Sequence, residues 1–227
     1  MNGISYQNPS PFGRLPILQV SPTVEAGRWP AKAYVGEVVP FGASVFREGH
    51  DALGAELLLT APSGSESIHR LSPGAPGTDR WETKVLIREE GKYKFQIRAF
   101  GDDYETWHHN ATVKIAVGVD EELMMLEGIA LFKKAAAEKT RSKANAKLLT
   151  DIAKVLGDSK LTAKARLIQA ESAEVQAAIA AEPIRSLITL SETFELYSER
   201  ERAGVGAWYE FFPRSEGAVF NEATKTW

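Results

Sequence analysis

A few short constellations in this 227-residue sequence carry side chains capable of chemistry. Trp107-His108-His109 sets two imidazoles side by side, the kind of start a metal or phosphate site needs. A protein metal centre takes three or four convergent ligands, and the sequence has four histidines and no cysteine. Neighbouring side chains of a strand leave from opposite faces, so His108 and His109 do not share one ion, and the expectation is no metal site. Asp79-Arg80 and Arg47-Glu48 pair opposite charges, but each lies at a turn beside a strand, where such a pair fixes the turn and contributes little energy. Glu199-Arg200-Glu201-Arg202 reads likewise as a solvated or interface face. Trp29, Trp81 and Trp107 could offer stacking faces for sugar rings. Packing in a core or interface is the commoner fate of tryptophan, and sandwich cores take up large aromatics. No nucleophile–base pair and no phosphate-cradling glycine loop is present in the pattern. The expectation is therefore no catalytic, cofactor-binding or metal-binding residue.

The elements that would carry these residues fall into two stretches of different grammar, with the change near Gly118. Before it, aromatics are frequent and Gly and Pro interrupt often. Val39, Phe41, Ala43 and Val45 alternate with period two, as do Tyr93, Phe95, Ile97 and Ala99. Ala111, Val113, Ile115 and Val117 form a third such run, Thr83, Val85 and Ile87 a fourth, and Leu57 with Leu59 a fifth. Turn signals at Gly49, Pro62-Ser63-Gly64, Pro73 to Gly77, Gly91 and Gly101 separate them, which predicts a β-sandwich of short strands. Gly91-Lys92-Tyr93-Lys94-Phe95 resembles the tyrosine corner of immunoglobulin-like domains, in which a Tyr hydroxyl bonds back to the main chain; an ordinary core Tyr after a Gly turn is the other reading.

After Gly118, Ala, Leu, Lys and Glu dominate. Asp120 reads as an N-cap with Glu121 and Glu122 complementing the helix dipole, and Lys133, Lys134 and Lys139 suit the far end. Met125, Ile129, Phe132 and Ala136 form one apolar stripe of this helix. Val119, Leu123, Leu126 and Ala130 form another, so the helix is expected to be covered on more than one side. A second helix is predicted from Ala144 to Leu156 with Gly157 as its stop, a third begins at Thr162, and Ser172 caps a fourth that ends before Pro183. Glu192 to Arg202 is amphipathic with no clear period. Trp208 to Pro213 is an apolar aromatic run of the buried-strand type. Glu210 is the odd charge within it and would need a buried Arg partner. The sequence then ends at Trp227, which reads as the opening of another domain, with Trp208, Phe211 and Phe212 lacking their native partners.

Composition bounds the function classes. With 44% hydrophobic and 25% charged residues the chain has material for a sizeable core. A net charge of -3 with scattered basic residues argues against nucleic acid as a partner. No run of 18 apolar residues is present, so no membrane helix is expected. Met1 to Pro16 lacks the basic and apolar regions of a signal peptide. A cytoplasmic location fits these features.

Four stretches carry a resemblance: Gly27-Arg28-Trp29-Pro30-Ala31-Lys32, Val45-Phe46-Arg47-Glu48-Gly49-His50-Asp51, Pro76-Gly77-Thr78-Asp79-Arg80-Trp81, and Trp208-Tyr209-Glu210-Phe211-Phe212-Pro213-Arg214-Ser215-Glu216-Gly217. In order and spacing they resemble the bacterial α-1,4-glucan:maltose-1-phosphate maltosyltransferases of glycoside hydrolase family 13, from Arg14 onward. The resemblance implies an immunoglobulin-like domain and a helical bundle that contribute to a homodimer, followed by a catalytic (β/α)₈ barrel and a C-terminal β domain. It implies a parent enzyme that transfers maltosyl units from α-maltose 1-phosphate to the non-reducing ends of α-glucans with retention. The carboxylates that retention requires would lie on barrel strands beyond Trp227, so the chain alone is expected to be inactive. The implied organisation is a flexible N-terminus over 1–13, an immunoglobulin-like β-sandwich over 14–118, a helical bundle over 119–203 and the start of a truncated barrel over 204–227. α-Glucan and maltose 1-phosphate would bind the missing barrel. The alternative function is a glucan-binding β-sandwich module built on the tryptophans.

Overall fold

The computed structural model describes residues 14–206, 209–212 and 216–227. The N-terminal stretch 1–13, together with Trp208 and Pro213, lies outside the described residues. Eight strands come first: β1 (Ile17–Ser21), β2 (Ala31–Tyr34), β3 (Val38–Val45), β4 (Leu53–Thr60), β5 (Glu66–Arg70), β6 (Ser72–Pro73), β7 (Arg80–Leu86) and β8 (Gly91–Asp102). Five helices follow: α1 (Asp103–Ala116), α2 (Glu121–Ala136), α3 (Lys143–Leu156), α4 (Ala163–Ala170) and α5 (Ala173–Ala181). Two strands then return, β9 (Arg185–Leu190) and β10 (Phe194–Glu199).

The strands form two sheets, one ordered β1-β3-β7-β6 and one ordered β2-β10-β8-β4-β5, with β9 also paired to β8. Their inner faces share one core. The period-two residues Val39, Phe41, Ala43 and Val45 of β3 are buried in it, as are Tyr93, Phe95, Ile97 and Ala99 of β8. Phe41 meets Phe95 edge-on across the two sheets, ring centres 5.1 Å apart. The Tyr93 hydroxyl accepts a hydrogen bond from the Glu89 main-chain N–H at 2.9 Å, the back-bond foreseen for a tyrosine corner.

The strand expected over Ala111 to Val117 is instead the second half of α1. β8 runs directly into this helix, and the Asp102 carboxylate caps it by accepting from the Glu105 N–H at 3.1 Å. Tyr104, Trp107, Ala111 and Ile115 recur at helical spacing and are buried, whereas Val113 and Val117 face outward. The alternation seen in the sequence was a by-product of this wider stripe, half of whose members lie upstream of Ala111.

A bundle expected to run from 119 to 203 also needs correction, because helix begins at Asp103 and sheet returns at Arg185. β10 pairs antiparallel with β8 and parallel with β2; β9 pairs antiparallel with β8. The helices therefore leave and re-enter one sheet at adjacent strands. Leu196 and Ser198 of β10 are fully buried, an alternation too short to stand out between charged neighbours. Within the helical part, α3 starts where Ser142 accepts from Asn145 N–H, and α4 where Thr162 accepts from Ala165 N–H, each at 3.3 Å. Asp120 precedes α2 in a left-handed conformation without a side-chain cap; its carboxylate instead takes Lys114 at 3.1 Å. In the tail, residues 209–212 belong to no strand, and Tyr209, Glu210, Phe211 and Phe212 are exposed.

Candidate functional site

Two neighbouring ion clusters hold the helical part on the sheet. Glu56 of β4 is buried, and its carboxylate accepts from Arg98 Nε of β8 at 2.8 Å and from Arg185 Nη2 of β9 at 2.6 Å. A lone carboxylate in that position would be costly, whereas two guanidinium partners compensate its desolvation. One residue before α1, Asp102 also binds Arg70 of β5 at 2.8 Å. Ser186 of β9 bonds the Asp103 carboxylate, so the exit and the return of the helical segment are joined side by side. The strands thereby anchor the start of α1.

α2 packs on α1 and α3. Gly128 permits the approach to α1: a Cβ there would lie 2.6 Å from Trp107 Cζ2. The Trp107 indole N–H donates to the Met124 carbonyl at 2.8 Å. Met125 and Phe132, from the first expected stripe, are fully buried. The second stripe is not covered. Leu126 is 62% and Leu123 47% exposed, and Val119 and Ala130 are exposed beside them. Two guanidiniums brace the edges of this element. Arg141 is buried and donates to the Ala135 carbonyl at 2.9 Å and to the Glu182 carbonyl at 2.7 Å, satisfying the open C-terminal end of α2. Arg166 of α4, also buried, binds the Glu122 carboxylate and the Leu156 carbonyl. Its hydrogen bond and charge hold Glu122 below the usual carboxylate range.

The other singled-out residues do not converge. His108 lies on α1, where its Nε2 meets Glu171 Oε1 at 2.9 Å and its ring stacks flat on Tyr104; His109 beside it is exposed. Burial, and then the charges of Glu105, Glu171 and Asp102, push the Tyr104 phenol up to about 12. Among the described residues no group of three or more His, Cys, Asp or Glu could hold a metal ion. Trp107 belongs to the helical core, and Trp81 packs on the core between the sheets. Trp29 stands 54% exposed before β2 with the Arg28 guanidinium 5.5 Å from its ring centre. The three tryptophans thus form no common platform. Arg80 binds Glu82 at 3.0 Å and the Gln19 carbonyl at 2.7 Å, tying β7 to β1. Arg47 pairs with Asp51 rather than Glu48, at 2.8 Å. Glu199 pairs with Lys32 at 2.9 Å.

Glu56, Arg98, Arg141, Arg166 and Arg185 were missed by sequence reasoning. Glu56 had a local signal, a single acid beside the apolar run Leu57-Leu58-Leu59. Arg98 and Arg185 had none, since Glu56 lies 42 and 129 residues away, and nothing in the sequence marked the main-chain carbonyls that Arg141 and Arg166 bind.

A family model described as "Alpha-1,4-glucan:maltose-1-phosphate maltosyltransferase, domain N/S" matches residues 13–200. The chain is 44% identical over 214 residues to alpha-1,4-glucan:maltose-1-phosphate maltosyltransferase 1 of Streptomyces coelicolor, covering 94% of this chain and 32% of that protein. It is 35% identical to the corresponding protein of Arcanobacterium haemolyticum, covering 94% of this chain and 31% of that one. Against the Mycobacterium tuberculosis protein the identity is 33%, covering 90% and 32%. The chain spans about a third of the length of these curated relatives.

Proposed function

Because this chain belongs to the domain N/S family of α-1,4-glucan:maltose-1-phosphate maltosyltransferases, we propose that it is the non-catalytic amino-terminal region of such an enzyme and that it serves structure and self-association. The parent would transfer maltosyl units from α-maltose 1-phosphate to the non-reducing ends of α-1,4-glucans, in the cytoplasm, as a homodimer. Retention in that transfer requires a nucleophilic carboxylate and a second carboxyl that acts as acid and then base. Both are assigned to a barrel that follows this chain, and 204–227 is read as the approach to its first strand. What supports that last reading is the exposure of Tyr209, Phe211 and Phe212, three aromatics left open among the described residues. The paired sheets are read as an immunoglobulin-like domain on the strength of the Tyr93 back-bond, with the helices inserted into it.

The observation that carries the self-association reading is the uncovered apolar stripe of α2, presented by a helix whose other side is fully packed. Sedimentation of the 227-residue chain should show a dimer at high micromolar concentration. Incubated with α-maltose 1-phosphate and glycogen, the chain should release no phosphate; release would overturn the non-catalytic reading.

A second reading, a glucan-binding module, is favoured by one observation, the exposed indole of Trp29. Titration with maltooligosaccharides separates the two. Heat and a Trp fluorescence change lost in Trp29→Ala would support binding, and silence in both would remove it.

A further inference from the structure

A hollow of about 460 Å³ is lined by Arg14, Pro16, Phe46, Arg47, Glu48 and Leu187. Phe46 directly follows β3 of the first sheet, and Leu187 belongs to β9 of the second, so the hollow spans both sheets. Phe46 is 38% and Leu187 41% exposed. The backbone makes a special provision for Leu187. Between Ala99 and Gly101 the register of β8 against β9 shifts, so that Leu187 and Ile188 stand against the single residue Phe100. A bulge of this kind re-aims side chains at a sheet edge. Leu187 also has φ 50°, the left-handed region that a residue with a Cβ rarely adopts. A leucine held in a disfavoured conformation, lining a hollow instead of entering the core, points to a contact outside the packing of the sandwich itself.

We propose that Asn8-Pro9-Ser10-Pro11-Phe12-Gly13 of this same chain lies in the hollow as a strap, with the Phe12 ring against Phe46 and Leu187. The segment joins the described chain at the rim of the hollow. Arg14 lines it, so Phe12 is two residues away, within about 7 Å of extended chain. The point of departure is fixed, because Leu15 is fully buried and Ile17 pairs with Val45, the neighbour of Phe46. The composition of the segment suits a groove. Pro9 and Pro11 set φ near about -65° and hold Asn8 and Ser10 extended, so little entropy is lost on docking. Extended proline-rich segments are a recurring occupant of apolar grooves lined by aromatics. Gly13 supplies the freedom to turn between strap and strand. The tether also gives the segment an effective concentration on the order of millimolar, which favours it over the same segment of a second copy. The strap thus bridges the end of β3 and the bulge of β9, in place of the flexible terminus expected from the sequence.

The test compares the full chain with Phe12→Ser and with a chain lacking residues 1–12, each checked for folding by near-ultraviolet circular dichroism. Hydrogen exchange read by mass spectrometry should quicken about fivefold in both variants over residues 46–48 and 187–190, and stay unchanged in β4 and α3. The absence of cysteine from the sequence allows a second, direct measurement. Phe12→Cys/Leu187→Cys should form a disulfide within one chain under mild oxidation, seen as a faster-running monomer on a non-reducing gel. Phe12→Cys/Ile68→Cys should not, because β5 lies three strands from β9, about 14 Å away at the spacing of neighbouring strands. Unchanged exchange at the two segments, or failure of the Leu187→Cys variant to bridge, overturns the strap. Equal bridging to position 68 overturns it as well, since the segment then has no preferred seat. A cross-linked dimer through Phe12→Cys/Leu187→Cys overturns its intramolecular form, because the hollow is then filled by another copy.

Discussion

Arg185 and Glu56 stand 129 residues apart in sequence, yet the guanidinium grips the carboxylate through two bonds, Nη2 to Oε1 at 2.6 Å and Nε to Oε2 at 3.1 Å. Arg185 opens β9, the first strand after the helices, and Glu56 lies in β4. Arg98 completes the cluster from β8 between them. This contact binds the returning chain to the sheet that the helices left.

Glu56→Ala removes the shared acceptor and leaves two guanidiniums facing each other. Breaking one partner of a buried ion cluster costs about 3–5 kcal/mol, and the value here should fall near the lower end because both arginines keep some contact with water. Urea unfolding of the variant checks this. A loss below about 1 kcal/mol would show that the cluster contributes no more than a surface pair.

Gly128→Ala should destabilise the helical part despite the better helix propensity of alanine. The propensity gain is about 1 kcal/mol. Against it, the new methyl would approach Trp107 Cζ2 to 2.6 Å and Leu156 Cδ1 to 2.9 Å. Trp107 cannot step aside without losing its bond to the Met124 carbonyl. Overpacking of this kind costs about 1–3 kcal/mol, so a net loss of about 1 kcal/mol is expected in thermal or urea unfolding.

Acid should weaken the contact between α2 and α4. The Glu122 carboxyl is held below its ordinary value of 4.5 by the Arg166 hydrogen bond and charge. A depressed carboxyl stabilises the fold above its ordinary pKa, and that contribution is lost as pH falls through the folded value. Stability measured from pH 6 down to pH 3 should therefore decline, and Glu122→Gln should lack this part of the decline while being less stable at pH 6.

Alkali acts through Tyr104 with the opposite sign. Its phenol is raised from 10.0 to about 12 by burial and then by Glu105, Glu171 and Asp102. The unfolded chain gives up this proton first, so stability is unaffected below pH 10 and is lost between pH 10 and pH 12. Tyr104→Phe should flatten that segment of the profile. It should also cost about 1 kcal/mol at neutral pH through the missing bond to the Ala170 carbonyl.

Much of this architecture is legible in the sequence because its cause is local. The inward residues of β3 and β8 repeat every second position, Thr162 marks the start of α4, and both stripes of α2 can be counted directly. Family membership rests on the same order of residues. The tertiary structure alone decided three matters. Ala111 to Val117 fits a strand by alternation, but the Asp102 cap and the packing of Tyr104 and Trp107 make it helix. β9 and β10 form only because β8 offers them an edge; Ile97 reaches Ser191 across 94 residues, a distance no local period encodes. Glu56, Arg141 and Arg166 are buried, and Arg98 and Arg185 half-buried, in pairs or against carbonyls supplied by other parts of the chain. A side chain's type announces that it needs a partner when buried, but only the folded chain determines which one it meets.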